Sequence, residues 1–125
     1  MASAELVWQC IKGGNSYLRK GLNGTCLSSE PGNLTSTHSY KFSGIANSKN
    51  VGLVTDSKGI VLSKGKVKKG KKALGKAVTV FKKDARKVMK GVSKEVSGYR
   101  TDLSDIAVRR AAALAKSQRK AKATK

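Results

Sequence analysis

The spacing of apolar residues along this chain changes character twice. Behind Ser3, a good N-cap, Leu6, Val7, Cys10 and Ile11 recur at helical spacing, and Glu5 suits a first turn. The spacing predicts a short helix from Ser3 or Ala4 to Lys12, although Val7, Trp8 and Ile11 also tolerate a strand. Gly13-Gly14-Asn15 ends the element. From Ser16 the period becomes two. "SYLRK" and "TCLSS" flank "GLNG" and predict a hairpin, and "EPGN" (Glu30–Asn33) is a turn holding the chain's one proline. "HSYKFSG" (His38–Gly44) alternates aromatic and polar residues as a half-buried strand does. "KNVGLV" and "KGIVLSKG", separated by "TDSKG", predict a second hairpin.

From Val78 the spacing is read as helical again. Val78, Phe81, Ala85, Val88, Val92 and Val96 step by three or four and form one apolar stripe. Lys82, Lys83, Arg86, Lys87, Lys90 and Lys94 fill the other faces, Gly91 weakens the helix, and Ser97-Gly98 stops it. "YRTDLSDIAVRRAAALAKSQRK" then starts a second helix with Thr101 or Asp102 as N-cap. Its apolar face is Leu103, Ile106, Ala107, Ala111 and Leu114, and Arg109, Lys116 and Lys120 fall near one another. The final "KAKATK" reads as a frayed basic tail. The fold class is α+β, an N-terminal helix on a small antiparallel sheet followed by a basic loop and two C-terminal amphipathic helices. The expected divisions are a compact module over 1–62, a lysine-rich loop over 63–77 and a basic helical extension over 78–125.

Charge changes this picture from a fold to a function. Across 125 residues, 27 lysines and arginines meet 7 acids, for a formal net charge of +20 and a pI near 10.4. Residues 1–57 hold 5 bases and 3 acids (5 − 3 = +2), whereas residues 58–125 hold 22 and 4 (22 − 4 = +18). Such asymmetry opposes compaction in a free protein and points to a polyanionic partner: nucleic acid, an acidic membrane or an acidic protein. "SKGKVKKGKK" (Ser63–Lys72) is the densest stretch, with six lysines in ten residues and no acid. With glycines at 65, 70 and 75, it is expected to order only against an anion. The expected RNA-binding set is Lys64, Lys66, Lys68, Lys69, Lys71 and Lys72 in this stretch. Lys82, Lys83, Arg86, Lys87 and Lys90 continue it on the first helix, and Arg100, Arg109, Arg110, Lys116, Arg119 and Lys120 on the second. Lysines act on phosphate as point charges, while an arginine can fork onto phosphate or stack on a base.

Other chemistry is poorly supplied. His38 is the only histidine and Cys10 and Cys26 the only thiols, with no third orienting group, so no enzyme is expected. Two cysteines sixteen apart and one histidine lack the paired spacing of a closed zinc site, and no phosphate-cradling glycine motif is present. No cofactor or small-molecule substrate is expected. Tyr40 and Phe42 share one strand face and read as core rather than as a stacking platform, as does Trp8. "MASAELVWQC" lacks a basic n-region and an adequate apolar stretch, and no apolar run approaches a membrane span. The apolar helix faces are mostly Val and Ala, too shallow for lipid insertion. A soluble intracellular protein with reduced thiols is expected.

"EPGNL", "HSYKFSGIANSKNVGL", "GIVL" and "YRTDLSDIAVRRAAALAKSQ" resemble, in matching order from Trp8 to Gln118, the eukaryote-specific ribosomal protein 28 family of the large subunit. Gly32 stands where that family's turn carries an asparagine. Thr101 stands where its second motif carries a proline, and the lysine stretch has no clear counterpart. The resemblance implies a structural constituent of the cytosolic large ribosomal subunit, assembled in the nucleolus and held on ribosomal RNA beside neighbouring ribosomal proteins, with no membrane partner. The alternatives are a ribosome-assembly factor of the same fold and a chromatin protein resembling a linker histone.

Overall fold

Ser3 begins the first helix by accepting a hydrogen bond from the Leu6 amide at 3.2 Å, which caps α1, Ala4–Ile11. The computed structural model describes residues 2–66 and 75–123, without the side chain of Lys122. The apolar face of α1 is not quite the one expected. Val7, Trp8 and Ile11 are half-buried, whereas Cys10 is exposed and Leu6 is 56% exposed. The largest side chain decides the rotation, because the Trp8 ring stands against His38 and Tyr40 at centroid distances of 4.9 and 5.9 Å.

The first hairpin is as predicted. β1, Leu18–Lys20, pairs antiparallel with β2, Cys26–Ser28, with Leu18 opposite Ser28 and Lys20 opposite Cys26. Between them lies a 3-10 turn, Leu22–Gly24, in which Asn23 (φ 57°) and Gly24 (φ 72°) take the left-handed conformation those two residue types accept.

The expected strand over His38–Gly44 does not form. Thr37 makes one antiparallel bridge to Leu27, and then the chain turns, with the amides of Phe42 and Ser43 both donating to the Ser39 carbonyl. Tyr40 is exposed, Phe42 is half-buried, and they share no strand face. Short polar side chains are the reason. The Asn47 side chain donates to the carbonyls of Tyr40 (2.7 Å) and Ser43 (3.0 Å), and the Ser43 hydroxyl accepts from the Ala46 amide. These bonds offer the backbone a local alternative to a sheet ladder.

The second hairpin forms as β3, Val51–Asp56, and β4, Gly59–Gly65, and a third strand, β5, Lys76–Phe81, completes a sheet of order β3-β4-β5. β5 overturns the expected helix start at Val78. "KAVTVF" is rich in β-branched residues and alternates, with Ala77, Thr79 and Phe81 half-buried and Lys76, Val78 and Val80 exposed. The helix begins only after Asp84, whose carboxylate accepts from the Arg86 amide at 3.2 Å. The strands also enter the lysine-rich stretch from both ends. Ser63–Gly65 belong to β4 and Lys76 opens β5, and the Lys66 amide donates to the Gly75 carbonyl at 2.9 Å. The expectation for the loop between them falls on residues 67–74, outside the described residues.

α2, Ala85–Ser97, buries Val88, Val92 and Val96, which are the expected stripe less its first members. Gly91 has a packing reason: a Cβ there would stand 2.8 Å from the Phe81 ring. The chain then makes a 3-10 turn, Thr101–Leu103, before α3, Ser104–Ala123. Neither Thr101 nor Asp102 is the N-cap, because both lie within that preliminary turn. Of the expected frayed tail, Lys120–Ala123 continue α3, and residues 124–125 lie outside the described residues. α2 packs on α3, whose buried positions Ala107 and Ala111 are small enough for close approach.

Two compact units result. The first comprises the described residues of Met1–Gly52 and Lys64–Lys76, and the second those of Leu53–Ser63 and Ala77–Lys125. Leu34, Ala46 and Val51 form the apolar core of the first, with Ser28, Glu30 and Ser43 buried beside them. The second buries Leu53, Ile60, Leu62, Val88, Val92, Val96, Leu103, Ala107 and Ala111. Among the described residues, no helix is long and apolar enough to cross a membrane.

Candidate nucleic-acid interface

The valine stripe of α2 occupies one side of the helix and leaves its basic positions to solvent. Arg86, Lys87, Lys90 and Lys94 are all exposed, as are Lys82 and Lys83 just before the cap. On α3 the same logic exposes Arg109, Lys116, Arg119 and Lys120, while Ala107 and Ala111 turn inward. Arg119 stands 3.8 Å from the Asp84 carboxylate with 72% of its side chain exposed, a pairing that water and salt weaken greatly. These cations extend flexible stems into solvent, as phosphate contact requires.

Three of the expected residues sit differently. Arg100 places Nε 3.1 Å and Nη2 2.7 Å from the two carboxylate oxygens of Asp102, and its side chain is only 16% exposed. Its fork is already engaged at the corner between α2 and α3. Arg110 is half-buried, and its Nε is buried without a hydrogen-bond partner. Lys64 is half-buried within β4, whereas Lys66 at the strand's end is exposed. Lys68, Lys69, Lys71 and Lys72 lie outside the described residues.

Periodicity gave no reason to single out Lys58 or Gln118. Lys58 is exposed in the turn between β3 and β4, on the same side as Lys82, Lys83 and Arg119, with which it lines one depression. The Gln118 amide donates to the carbonyls of Asp56 (3.4 Å) and Gly59 (3.3 Å) in that turn. A lone lysine in a tight turn carries no periodic signal, and Gln118 entered only as the end of the resemblance.

Elsewhere, the Lys41 ammonium lies 5.7 Å from the Phe42 ring centroid. Cys10 and Cys26 are free and exposed, and the described residues hold no group of three or more His, Cys, Asp or Glu side chains placed to share a metal. Partial burial raises the pKa of the Tyr99 phenol, and the neighbouring Arg100 guanidinium opposes that shift.

The arrangement is a cationic, solvent-exposed surface built on helix faces. Comparison with known proteins gives it a family. Residues 6–117 match the model of the Ribosomal L28e protein family. The "Large ribosomal subunit protein eL28" of Schizosaccharomyces pombe is 34% identical over 128 residues, covering 94% of this chain and 93% of that protein. The protein of the same name from Caenorhabditis elegans is 34% identical and covers 98% and 97%. That from Dictyostelium discoideum is 34% identical and covers 86% and 83%. By the extent of these matches, this chain belongs to the Ribosomal L28e protein family.

Proposed function

We propose that this chain is a structural constituent of the large subunit of the cytosolic eukaryotic ribosome, joined during assembly in the nucleolus, and that it has no catalytic role. The observation that carries this reading is the alignment, over nearly the whole of both chains, with relatives named as large ribosomal subunit proteins. Its mechanism is phosphate neutralisation. Residues 1–62 carry little of the net charge and contribute little to this neutralisation. The lysine-rich stretch at 63–77 and the basic helices of 78–125 lie along RNA backbone. Exposed Lys82, Lys83, Lys87, Lys90 and Lys116 supply point charges, and Arg109 and Arg119 supply forks. An A-form duplex hides its bases in a deep, narrow groove, so contacts of this kind read shape and backbone. With on the order of 8 phosphate contacts, binding should weaken steeply with salt, by a log–log slope of roughly 0.7–0.9 per contact.

Separation of a cell lysate on a sucrose gradient, followed by quantitation of this chain and a high-salt wash of pooled ribosomes, tests the proposal. The expected result is one copy per mature large subunit that survives the wash. Confinement to precursor particles, or departure with chromatin, would overturn it in favour of an assembly factor or a chromatin protein. Replacing Lys68, Lys69, Lys71 and Lys72 by Glu should weaken incorporation in competition with the wild type. Equal incorporation would remove that stretch from the binding surface.

A further inference from the structure

The unit built from the sheet and the two long helices carries an open depression of about 390 Å³ whose apolar floor phosphate neutralisation leaves without a role. It lies between the β3–β4 turn, the end of β5, the first turn of α2 and the last third of α3. Its floor is apolar, formed by the buried Ile60 and Val88 with the half-buried Phe81 and Ala115. Its rim is cationic, formed by the exposed Lys58, Lys82, Lys83 and Arg119.

The walls are held in place by the chain itself. Gly59 has φ 144°, and a side chain there would collide with the Phe81 carbonyl, so only glycine lets the turn close onto the end of the strand. Gln118 then ties α3 to the same turn through the carbonyls of Asp56 and Gly59. Two acids also line the depression. Asp84 is spent on capping α2 and lies near Arg119, and the Asp56 carboxylate accepts from the Ser57 hydroxyl at 3.5 Å. The four cations outnumber them.

An apolar floor under a cationic rim fits a flat ring that carries a phosphate. The volume is at the low end of the roughly 300–1,000 Å³ typical of ligand sites, room for one nucleotide but not for a duplex. We propose that this depression seats an unpaired, extruded nucleotide of the bound RNA, with its base over the floor and its flanking phosphates held by Lys58, Lys82, Lys83 and Arg119. The inference rests on the RNA-binding reading above and adds to it. A bulge or splayed loop would be recognised at this point, while the rest of the surface follows backbone. Unpaired bases are the part of RNA that a protein can grip by stacking and apolar contact.

The test compares the full chain's affinity, at physiological salt, for a hairpin RNA with a one-nucleotide bulge and for the same hairpin fully paired. The wild type should bind the bulged RNA roughly tenfold more tightly, the scale of one stacked base. Ala115→Leu fills the floor and should abolish that preference while leaving affinity for the paired hairpin unchanged. Equal wild-type affinities would overturn the proposal and leave the general RNA reading standing, whereas binding to neither RNA would sink both. If circular dichroism finds Ala115→Leu unfolded, Lys58→Ala on the exposed rim decides: a reduced preference supports the site, and an undiminished one removes it. Displacement of the bulged RNA by polyglutamate as readily as by unlabelled bulged RNA would also overturn the proposal, since it would make the rim a site for acidic chains.

Discussion

Around Asn33, one side chain makes five hydrogen bonds. Its amide donates to Glu30 and to the Thr37 carbonyl, and its carbonyl accepts from the Thr35 amide, the Thr35 hydroxyl and the Ser36 amide. Around Val92, in the other unit, burial is complete and the neighbours along the stripe are Val88 and Val96. The first unit closes its turns with short polar side chains over a small apolar centre, and even its buried positions include Ser28, Glu30 and Ser43. The second packs helices on a sheet with apolar side chains alone at its fully buried positions. A core of branched aliphatics loses stability when volume is removed. A polar framework loses it when one partner of a buried bond is removed, because the other is left desolvated.

The largest effect should therefore come from volume loss in the second unit. Leu62 is completely buried in β4, and Leu62→Ala should cost about 2–5 kcal/mol, read as a lower midpoint in urea denaturation. A loss under about 1 kcal/mol would mean that the site collapses around the cavity, and the contrast between units would weaken. In the first unit the matching test is Ser43→Ala. The Ser43 hydroxyl donates to Glu30 at 3.0 Å and accepts from the Ala46 amide at 3.2 Å, all in buried surroundings. Removing it should cost about 1–3 kcal/mol with almost no change in buried volume. A neutral result would show that the polar framework of this unit has slack to re-pair.

The same contrast explains what could be read in advance. α2 and α3 were legible because burial selects every third or fourth residue, and Val88, Val92, Val96, Ala107 and Ala111 obey that rule. Their exposed cations were legible as the complement of the stripe. β5 was misread because Val78 and Phe81 also fit helical spacing with the valines that follow, and only the Asp84 cap marks the true start. The strand expected at His38–Gly44 failed for the opposite reason: the alternation of aromatic and polar residues matched a period, but the bonds that won were made by Ser43 and Asn47. Side-chain to backbone bonding leaves no periodic trace. Gly32 is instructive here too. Its φ of 86° lies in the left-handed region, which asparagine tolerates next best, so the departure from the family's turn is conservative in backbone terms. The depression lined by Lys58 and Gln118 was illegible because its walls come from segments some sixty residues apart.

Helix α1 sharpens the comparison at a smaller scale, since none of its residues is fully buried. With little packing to hold it, its cap should matter. Ser3→Ala should cost about 1 kcal/mol and fray the first turn, visible as faster amide exchange at Leu6. Unchanged exchange there would mean that the Trp8 contacts with His38 and Tyr40 hold the helix unaided.

The exposed cations separate stability from binding. Lys83→Ala, Lys87→Ala and Lys116→Ala remove only solvated side chains, so each should change stability by less than about 0.5 kcal/mol. Together they should lower the salt dependence of RNA binding by roughly 0.7–0.9 in log–log slope for each phosphate no longer neutralised. An unchanged slope would place the backbone contacts elsewhere on the chain.

The smallest expected effect is a pH dependence at the corner between the long helices. Burial raises the Tyr99 phenol above its ordinary value of about 10, the Arg100 guanidinium only partly offsetting it, so the folded chain holds this proton more tightly than the unfolded one. The stability linked to Tyr99 is then fully present below the unfolded value and is lost as pH rises from there through the folded value. Lysines titrate over the same alkaline range and contribute a background, so the informative quantity is a difference between two chains. Tyr99→Phe keeps the ring and removes the proton. Measured by urea denaturation in parallel, the variant should fall less steeply with pH than the wild type above about pH 10 and run parallel to it below. Parallel curves throughout would mean that the phenol is as well solvated in the folded chain as in the unfolded one.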